Sequence, residues 1–596
     1  MIFQNCTHLK WDTVGFYFLE IINFSEEGTI ILRNTVKCCR MSVKKKLIRA
    51  LEDADVVKVK EIIENESNES ALGDESMDII SCVCDYMTKE RQEALPHLVT
   101  SCQDILAKVT LLGNPKELLV SMLEQLDGFK DTCSVVKLLP SLAVILRRVK
   151  LGNMSVSWNW ALNTVSCHLR TCPTPGNMGL EAVERVTIDQ TSEAGECLEL
   201  CEGCVDMASV LVQVTRDHSC DRDNVFRRAV ILSFLLEILV PLSTLPQHIE
   251  RGVNGAEIIP QSRHVCDKLI KLVYLATTGN LWTDVIYFSE CKERKLLCEQ
   301  PVSPLSTATV IYLVMCEEMC QHQLPSVYTH YYLLRSSAAS LVSLLQDNNQ
   351  IRVHKALLLL STLLNKIELE SLSSREADDP ELISLVAPLV QVIVYNEVEE
   401  LRKHGFTCYQ QFIKIFHLQA RYKVYFYLFK TVNHSGLLGW TTTSLKDTIA
   451  RCLSSKELIK TYSGDQLSKI LLPLLKLKHG PETDLLEISE ELLATLNFVQ
   501  FLLVRDKANL TGICGMKTDI VKWVEDVTTG VQMAEAHYKQ KLTEQPLSDN
   551  FNNCGVTVGG QQLPPMSTEQ LQNVLKSALN TFNLILFNLG RVRDLL

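Results

Sequence analysis

Apolar residues return every three or four positions along almost the whole chain after residue 40. The clearest stretch, residues 481–507, opens with Pro481 and several acidic side chains and closes with Arg505 and Lys507. Its apolar period is that of a helix face, and its charges match the two ends of a helix dipole. The pattern predicts a helix of about 22 residues, roughly 33 Å long, that needs other helices on both sides. Polar residues keep the apolar run below the ~18 residues of a membrane span.

The second half of the chain contains a repeated helix pair. Residues 350–368 and 400–418 align at an offset of 50 positions, and another apolar helix precedes each copy. The alignment pairs an arginine and a histidine of each copy, Arg352 with Arg402 and His354 with His404. A helix, a turn and an Arg-bearing helix, repeated at about 40–50 residues, are typical of HEAT and armadillo repeats. The sequence therefore predicts an all-α, HEAT- or armadillo-like solenoid of irregular helical repeats.

Two helices near residue 130 show how the pattern continues in the first half. Asn114, Pro115 and Glu117 are an N-cap, a first helical residue and a third helical residue, which together start a helix. The apolar stretch over residues 133–149 is predicted to pair with that helix. Pro140 is expected to kink or split it, because proline removes a backbone hydrogen bond.

Three elements are predicted after residue 507. A helix over residues 517–542 carries on one face Trp523, Val527, Val531, Ala534 and Tyr538. Residues 556–563 are predicted to form a short extended element, a β-hairpin that turns at Gly559 and Gly560. Ser567 and Gln570 then form a capping box. It starts a last helix that seals the stack, as a terminal repeat must.

Composition divides the chain into three parts. Residues 1–40 read as a short strand pair, whereas an amphipathic helix over residues 41–66 begins at Met41. We interpret residues 1–40 as an extension that takes no part in the fold. Polar breaks at residues 246–262 and 290–306 mark the boundary between two halves. We therefore predict an N-terminal helical-repeat region over residues 41–300 and a C-terminal HEAT-like region over residues 301–596.

Charge and cysteine content limit the partners and the compartment. The net charge of −11 argues against a general nucleic-acid binder, which would carry a basic patch or stripe. The 22 cysteines are scattered through apolar helices, which is typical of reduced, buried thiols. With no signal peptide visible, we expect a monomeric cytoplasmic protein, or a nuclear one, with no membrane partner.

No catalytic or metal-binding motif in the sequence stands above chance. The sequence has no phosphate-binding glycine loop, no G-x-S-x-G and no H-E-x-x-H. Cys197, Cys201 and Cys204 share one helix face, with His218 and Cys220 nearby. A buried seam explains them better than zinc, whose structural sites take paired ligands from loops. We predict a protein that is not an enzyme and has no cofactor, metal or catalytic residue.

Two further groups of residues have a structural interpretation. His354 and His404 are interpreted as hydrogen-bonding groups between helices rather than as catalysts. The aromatic cluster of residues 422–429 resembles a base-stacking platform, but few basic residues interleave it, so we predict that it belongs to the core.

Blocks of sequence spread over the chain resemble one known family. They are LGNPKELL (112–119), QLPSVYTHYYLL (323–334), VNHSG (432–436), ETDLLEISEELLATLNFVQFLLVRD (482–506), TG (511–512), MAEAHY (533–538) and VTVGGQQLPPM through ALNTFNLI (556–585). Their order and spacing are similar to those of the glomulin family, helical-repeat regulators of cullin–RING ubiquitin ligases. The resemblance covers residues 41–596 and is strongest after residue 301.

The resemblance implies inhibition by occlusion. Members of the family use their C-terminal repeats to bind the RING domain of the RING-box subunit, with its cullin. They thereby cover the surface on which the ubiquitin-charged E2 docks. An apolar contact is expected from Asn497, Phe498 and Phe501. The polar rim of the contact is expected to comprise Arg505, Lys507, His537 and Tyr538. The alternative for each of these residues is a packing role within the helix stack.

Two other functions stay open from the residues alone. A general α-solenoid scaffold or adaptor would bind extended peptide segments of other partners on its concave face and would ignore an isolated RING domain. An enzyme with a cysteine nucleophile would need one accessible thiol of low pKa beside a base, and no such spacing is visible.

Overall fold

The computed structural model describes residues 42–149, 154–176, 182–217, 223–251, 256–288, 291–297, 301–544, 557–558, 561–562 and 568–596. The first half contains α1 (Val43–Glu52), α2 (Val56–Glu64), α3 (Glu69–Asp74), α4 (Ser76–Cys84), α5 (Lys89–Ala94), α6 (Pro96–Leu112), α7 (Pro115–Gly128), α8 (Thr132–Arg148), α9 (Met154–Thr171), α10 (Ala182–Arg185), α11 (Ser192–Asp217), α12 (Asn224–Leu242), β1 (Glu250–Arg251), β2 (Glu257–Ile258), α13 (Gln261–Ala276), α14 (Leu281–Ile286) and α15 (Lys292–Leu297).

The second half is equally helical. It contains α16 (Pro304–Met315), α17 (His330–Leu345), α18 (Gln350–Asn365), α19 (Pro380–Ile383), α20 (Val386–Tyr395), α21 (Glu399–Lys414), α22 (Arg421–Thr431), α23 (Ser435–Cys452), α24 (Lys456–Ile459), α25 (Asp465–Leu474), α26 (Ser489–Arg505), α27 (Lys517–Glu544), β3 (Thr557–Val558), β4 (Gln561–Gln562) and α28 (Thr568–Arg593). Short 3₁₀ turns occupy Glu66–Asn68, Val186–Gln190, Gln321–Gln323, Glu376–Asp378, Lys460–Tyr462, Gly480–Glu482 and Ile513–Met516.

Helices that are close in sequence pack side by side, which is the arrangement of a helical-repeat solenoid. In the predicted repeat, α17 packs on α18 and α20 packs on α21, and α18 packs on α21, so that the two pairs stack. The second helices of the pairs begin at Gln350 and Glu399, close to the predicted offset. The all-α solenoid predicted from the apolar period is confirmed.

The core is continuous across the predicted boundary between the halves. The break at residues 246–262 contains an antiparallel pair, in which Glu250 lies opposite Ile258. Buried apolar residues form one cluster from Val43 to Val592, and α12 packs on α16 across the break. The division at residue 300 stays a prediction. Residues 1–40, with their predicted strand pair, lie outside the described residues.

The predicted helix over residues 41–66 is two helices. Ala54 takes a left-handed backbone conformation, with φ of 53°, which ends the first helix. Asp55 then caps the second helix, because its carboxylate accepts a hydrogen bond from the backbone N–H of Lys58 at 3.1 Å. The prediction of one helix was wrong. The apolar period continues across the break and does not reveal the turn at Ala54 or the N-cap at Asp55.

The predicted helix over residues 481–507 is also shorter than its pattern. α26 starts at Ser489, because Asp484 accepts from the backbone N–H of Leu486 at 3.0 Å and folds that segment into turns. Leu485 is buried and lies under Gly530 of α27, where an added Cβ would stand 3.2 Å from the Leu485 methyl group. Packing against α27 therefore fixes the turn.

The helix signals near residue 130 have mixed outcomes. Asn114 caps α7 as predicted and accepts from the N–H of Lys116 at 3.1 Å. α8 packs on α7, as expected, but it runs unbroken through Pro140, so the predicted split is wrong. Pro140 is exposed, so its ring lies on the solvent side of α8 rather than in the packed face.

The C-terminal elements agree with the pattern. α27 carries the predicted apolar face, with Trp523, Val527 and Val531 buried. β3 and β4 form an antiparallel pair, in which Val558 lies opposite Gln561. α28 packs on both α26 and α27. Ser567 of the predicted capping box lies outside the described residues. Among the helices described, none is both long and apolar enough to cross a membrane.

Candidate functional surface

The seven residues proposed from the sequence occupy two separate places. Arg505 and Lys507 are exposed at the C-terminal end of α26. Tyr538 is half-buried on α27, where its ring meets Phe582 edge-on at 5.5 Å. His537 is exposed beside it, with its ring 5.9 Å from that of Tyr538. The proposed residues are thus divided between α26 and α27.

Phe498 belongs to the core. Its side chain is 0% exposed, so it cannot touch a partner while the repeat is folded, and this corrects its assignment to the apolar contact. Asn497 is exposed and Phe501 is half-buried. At about 100° per residue, Asn497 and Phe501 lie only about 40° apart around the helix axis, whereas Phe498 lies about 100° from Asn497 and faces the core.

α28 carries exposed apolar residues that were not predicted from the sequence. On α28, Leu584 is 50% exposed and Phe587 is 64% exposed. The opposite face of the same helix is buried through Phe582, Ile585 and Leu589. The signal was present in the sequence, because α28 has apolar residues on two faces, whereas a terminal repeat needs only one.

A hydrogen-bonded contact joins α26 to α28. With its amide oxygen turned toward the guanidinium, Gln500 of α26 accepts from Arg591 Nε at 3.0 Å and from Nη2 at 2.8 Å. The Arg591 guanidinium also lies 5.8 Å from the centre of the Phe587 ring. Phe587 is one helical turn before Arg591 on α28, and Asn497 and Val504 lie about one turn to either side of Gln500 on α26.

We call this area the C-terminal surface and define it by its members on α26 and α28: Asn497, Gln500, Phe501, Val504, Arg505, Leu584, Phe587 and Arg591. It combines exposed aromatic and aliphatic groups with an arginine, the composition of the centre of a protein–protein contact. Tyr538 and His537 lie off this area, since Phe582 is nine residues from Arg591 on α28, about 13 Å along the helix.

The cysteine seam is buried, as predicted, and the aromatic cluster packs on the core with most of its rings half-buried. Cys197, Cys201 and Cys204 are all 0% exposed, and burial raises the pKa of the Cys204 thiol. No group of three metal-ligating side chains occurs among the described residues, which do not include His218 and Cys220. Tyr425 of the aromatic cluster is also fully buried.

The two repeat histidines do not have the hydrogen-bonding role predicted for them. Neither His354 nor His404 makes a hydrogen bond to any part of the chain that the structure describes. Burial lowers the pKa of both, that of His354 well below its usual value. Both are therefore neutral near pH 7, and His354 acts as a buried packing residue.

Lys355, the residue after His354 on α18, links the second half of the chain to the end of α12 in the first half. Lys355 is 1% exposed, and its ammonium donates to the carbonyls of Ser243 at 2.8 Å and Leu245 at 2.7 Å. Arg352 donates to the Ser243 hydroxyl at 2.7 Å. These cations of α18 sit at the C-terminal end of α12, where the helix dipole favours positive charge.

We expect Lys355→Met to destabilise the protein by about 1–3 kcal/mol, because buried carbonyls lose their donors. Burial lowers the pKa of Lys355 to about 7 from 10.5 in the unfolded chain. Between these values the unfolded chain holds more protons, so this lysine makes the unfolding free energy rise with pH. The stability gap between wild type and Lys355→Met should therefore widen above pH 7.

Urea denaturation at pH 6, 7.5 and 8.5 measures this gap in unfolding free energy. Lys403→Met, at an exposed lysine, is the control. A gap that stays constant with pH would contradict the expectation.

The fold and this surface define an α-helical repeat protein with an exposed apolar area on its last repeat. Residues 321–575 match an uncharacterised protein family described as YAP/Alf4/glomulin. Glomulin of Mus musculus is 28% identical over 571 residues, and glomulin of Homo sapiens is 28% identical over 567 residues; each alignment covers 92% of both chains. These matches confirm the resemblance to glomulin inferred from the sequence.

One solved structure also aligns along the chain. It is a circular tandem repeat protein with novel repeat topology and enhanced subunit contact surfaces. It is 10% identical and covers 93% of this chain and 96% of its own, at a TM-score of 0.20. A likeness at that score carries no argument about fold or function.

Proposed function

We propose that this protein inhibits cullin–RING ubiquitin ligases without catalysing a reaction. In this proposal it binds the RING domain of the RING-box subunit and masks the surface on which the ubiquitin-charged E2 docks. The similarity to glomulin over nearly the whole chain supports the choice of partner. The C-terminal surface supports the mode of action, because occlusion requires an exposed, preformed contact area and no reactive group.

The exposed Phe587 is the observation that carries the proposal. Exposed apolar side chains that stand together, rather than singly, mark interaction sites. Phe587 has Leu584 one turn away and Arg591 over its ring, so an aromatic and an arginine anchor stand together. Asn497 and Arg505 supply the polar rim. A standard interface buries ~1,600 Å², which two adjacent helices and their flanking loops can provide.

The competing proposal is a scaffold that binds extended peptides. Purified protein is mixed with a RING-box–cullin C-terminal complex, and binding is measured beside discharge of ubiquitin from a loaded E2. Inhibition predicts that discharge slows in step with occupancy and recovers when E2 is added in excess, since the two compete. A folded protein that leaves discharge unchanged would refute occlusion and favour the scaffold.

A further inference from the structure

A pocket of about 420 Å³ opens between α21 and α23, on elements separate from the C-terminal surface. We call it the Trp440 pocket. The lining residues that matter here are Leu369, Glu370, Lys414, Arg421, Trp440 and Arg451. Its volume lies within the range of about 300–1,000 Å³ that is usual for ligand pockets.

Two arginines of the pocket hold the carboxylate of Glu370. Its carboxylate accepts from Arg421 Nη2 at 3.1 Å and from both terminal nitrogens of Arg451, the Nη2 bond being 3.0 Å. Hydrogen bonding to Arg451 is the main cause that lowers the pKa of Glu370. Glu370 has a left-handed φ of 60°, a conformation that costs free energy at a non-glycine residue and persists where the surroundings enforce it.

The pocket carries more positive charge than the Glu370 carboxylate neutralises. Arg421 is 6% exposed. It donates through Nε to the backbone carbonyl of Phe416, and through Nη2 to the Glu370 carboxylate and the backbone carbonyl of Lys414. Its Nη1 and the Lys414 ammonium make no hydrogen bond within the described ranges. Three cations line the pocket, Lys414, Arg421 and Arg451, beside two carboxylates, those of Glu370 and Asp447. This is a net positive site on a chain whose net charge is −11.

An apolar wall stands beside these cations. Leu369 is 62% exposed. The Trp440 indole is held by the rings of Phe406 at 5.5 Å and Tyr409 at 5.7 Å, both edge-on. A rigid aromatic face next to cationic donors suits a ligand that has an apolar side chain and a carboxylate close together.

We propose that the Trp440 pocket binds a short acidic peptide segment of a partner protein. A glutamate or aspartate of the segment pairs with Lys414 and Arg421, and a neighbouring leucine or phenylalanine lies against Trp440 and Leu369. A free inorganic anion would use the cations but leave the apolar wall uncovered. The segment binds independently of the C-terminal surface.

The test uses the full chain and the blocked hexapeptide EELFEE, with tryptophan fluorescence and calorimetry as readouts. We expect saturable binding that weakens with added salt. Lys414→Glu should weaken it about tenfold or more, since a paired charge becomes a repulsive one. Trp440→Phe should keep binding in calorimetry but lose most of the fluorescence change.

Matched controls separate the site from general charge. Lys403→Glu changes an exposed lysine of the same helix outside the pocket and should bind as wild type does, and the peptide KKLFKK should not bind. Circular dichroism checks that each variant is folded. The proposal is overturned if EELFEE does not saturate, if Lys403→Glu weakens binding as much as Lys414→Glu, or if inorganic phosphate or free glutamate binds as tightly as the peptide.

Discussion

Phe587→Ala should weaken binding to the RING-box–cullin complex about 30-fold or more and relieve the block of E2 discharge to the same degree. The expected loss is that of a central aromatic anchor, at least about 2 kcal/mol of binding free energy. Phe587 is 64% exposed, so its removal opens no cavity in the core. The unfolding free energy should therefore stay within about 0.5 kcal/mol of wild type.

Two matched variants make this result specific. Val574→Ala removes an apolar side chain of the same helix that is 51% exposed but lies about 20 Å from Phe587 along the helix; it should leave binding unchanged. Phe498→Ala empties a core position and should cost about 3–5 kcal/mol of stability, with normal affinity per folded molecule. Wild-type affinity of a folded Phe587→Ala variant would show that the C-terminal surface is not the contact.

Gly439→Ala should destabilise the C-terminal repeats by about 2 kcal/mol, because an overpacked contact has to open. An added Cβ at Gly439 would stand 2.8 Å from the carbonyl oxygen and 3.0 Å from the carbonyl carbon of Glu490. Both atoms are backbone in the first turn of α26 and cannot rotate away. The close crossing of α23 and α26 therefore depends on glycine at this position.

Gly436→Ala is the matched control in the same helix. Its Cβ would meet the Glu490 carboxylate at 2.6 Å and the His434 ring at 3.2 Å, which are both ends of side chains rather than backbone. Alanine also favours a helix over glycine by up to about 1 kcal/mol. Urea denaturation should show this variant at or above wild-type stability. Equal losses for the two variants would argue against a specific backbone contact at Gly439.

The two predictions are linked through α26. This helix carries the rim residues Asn497 and Arg505, and its first turn rests on Gly439. Gly439→Ala should therefore also lower affinity for the RING-box complex, by shifting α26 relative to α28, whereas Gly436→Ala should not. Binding measured on the folded fraction distinguishes this shift from simple unfolding.

Much of the site's framework was predictable from the sequence, but its surface was not. The helices that bear it were found from their apolar period, and Arg505 and Lys507 were placed correctly at an exposed helix end. Phe498 and Phe501 look alike in the sequence, since both belong to one wide apolar stripe. Only the packing of α23 and α28 against α26 decides that Phe498 is buried and that Phe501 lies half-buried at the edge of the packed face.

The sequence by itself determined the class of fold, the stacked repeat near residues 350 and 400, the Asn114 cap and the elements after residue 507. These follow from signals within a few residues of each other, namely apolar period, caps and turns. Tertiary structure decided where α26 begins, which apolar face of α28 stays in water, and that Lys355 binds the end of α12. The physical reason is distance along the chain: Lys355 and Ser243 are 112 residues apart, and no local pattern records which distant backbone will supply the acceptors.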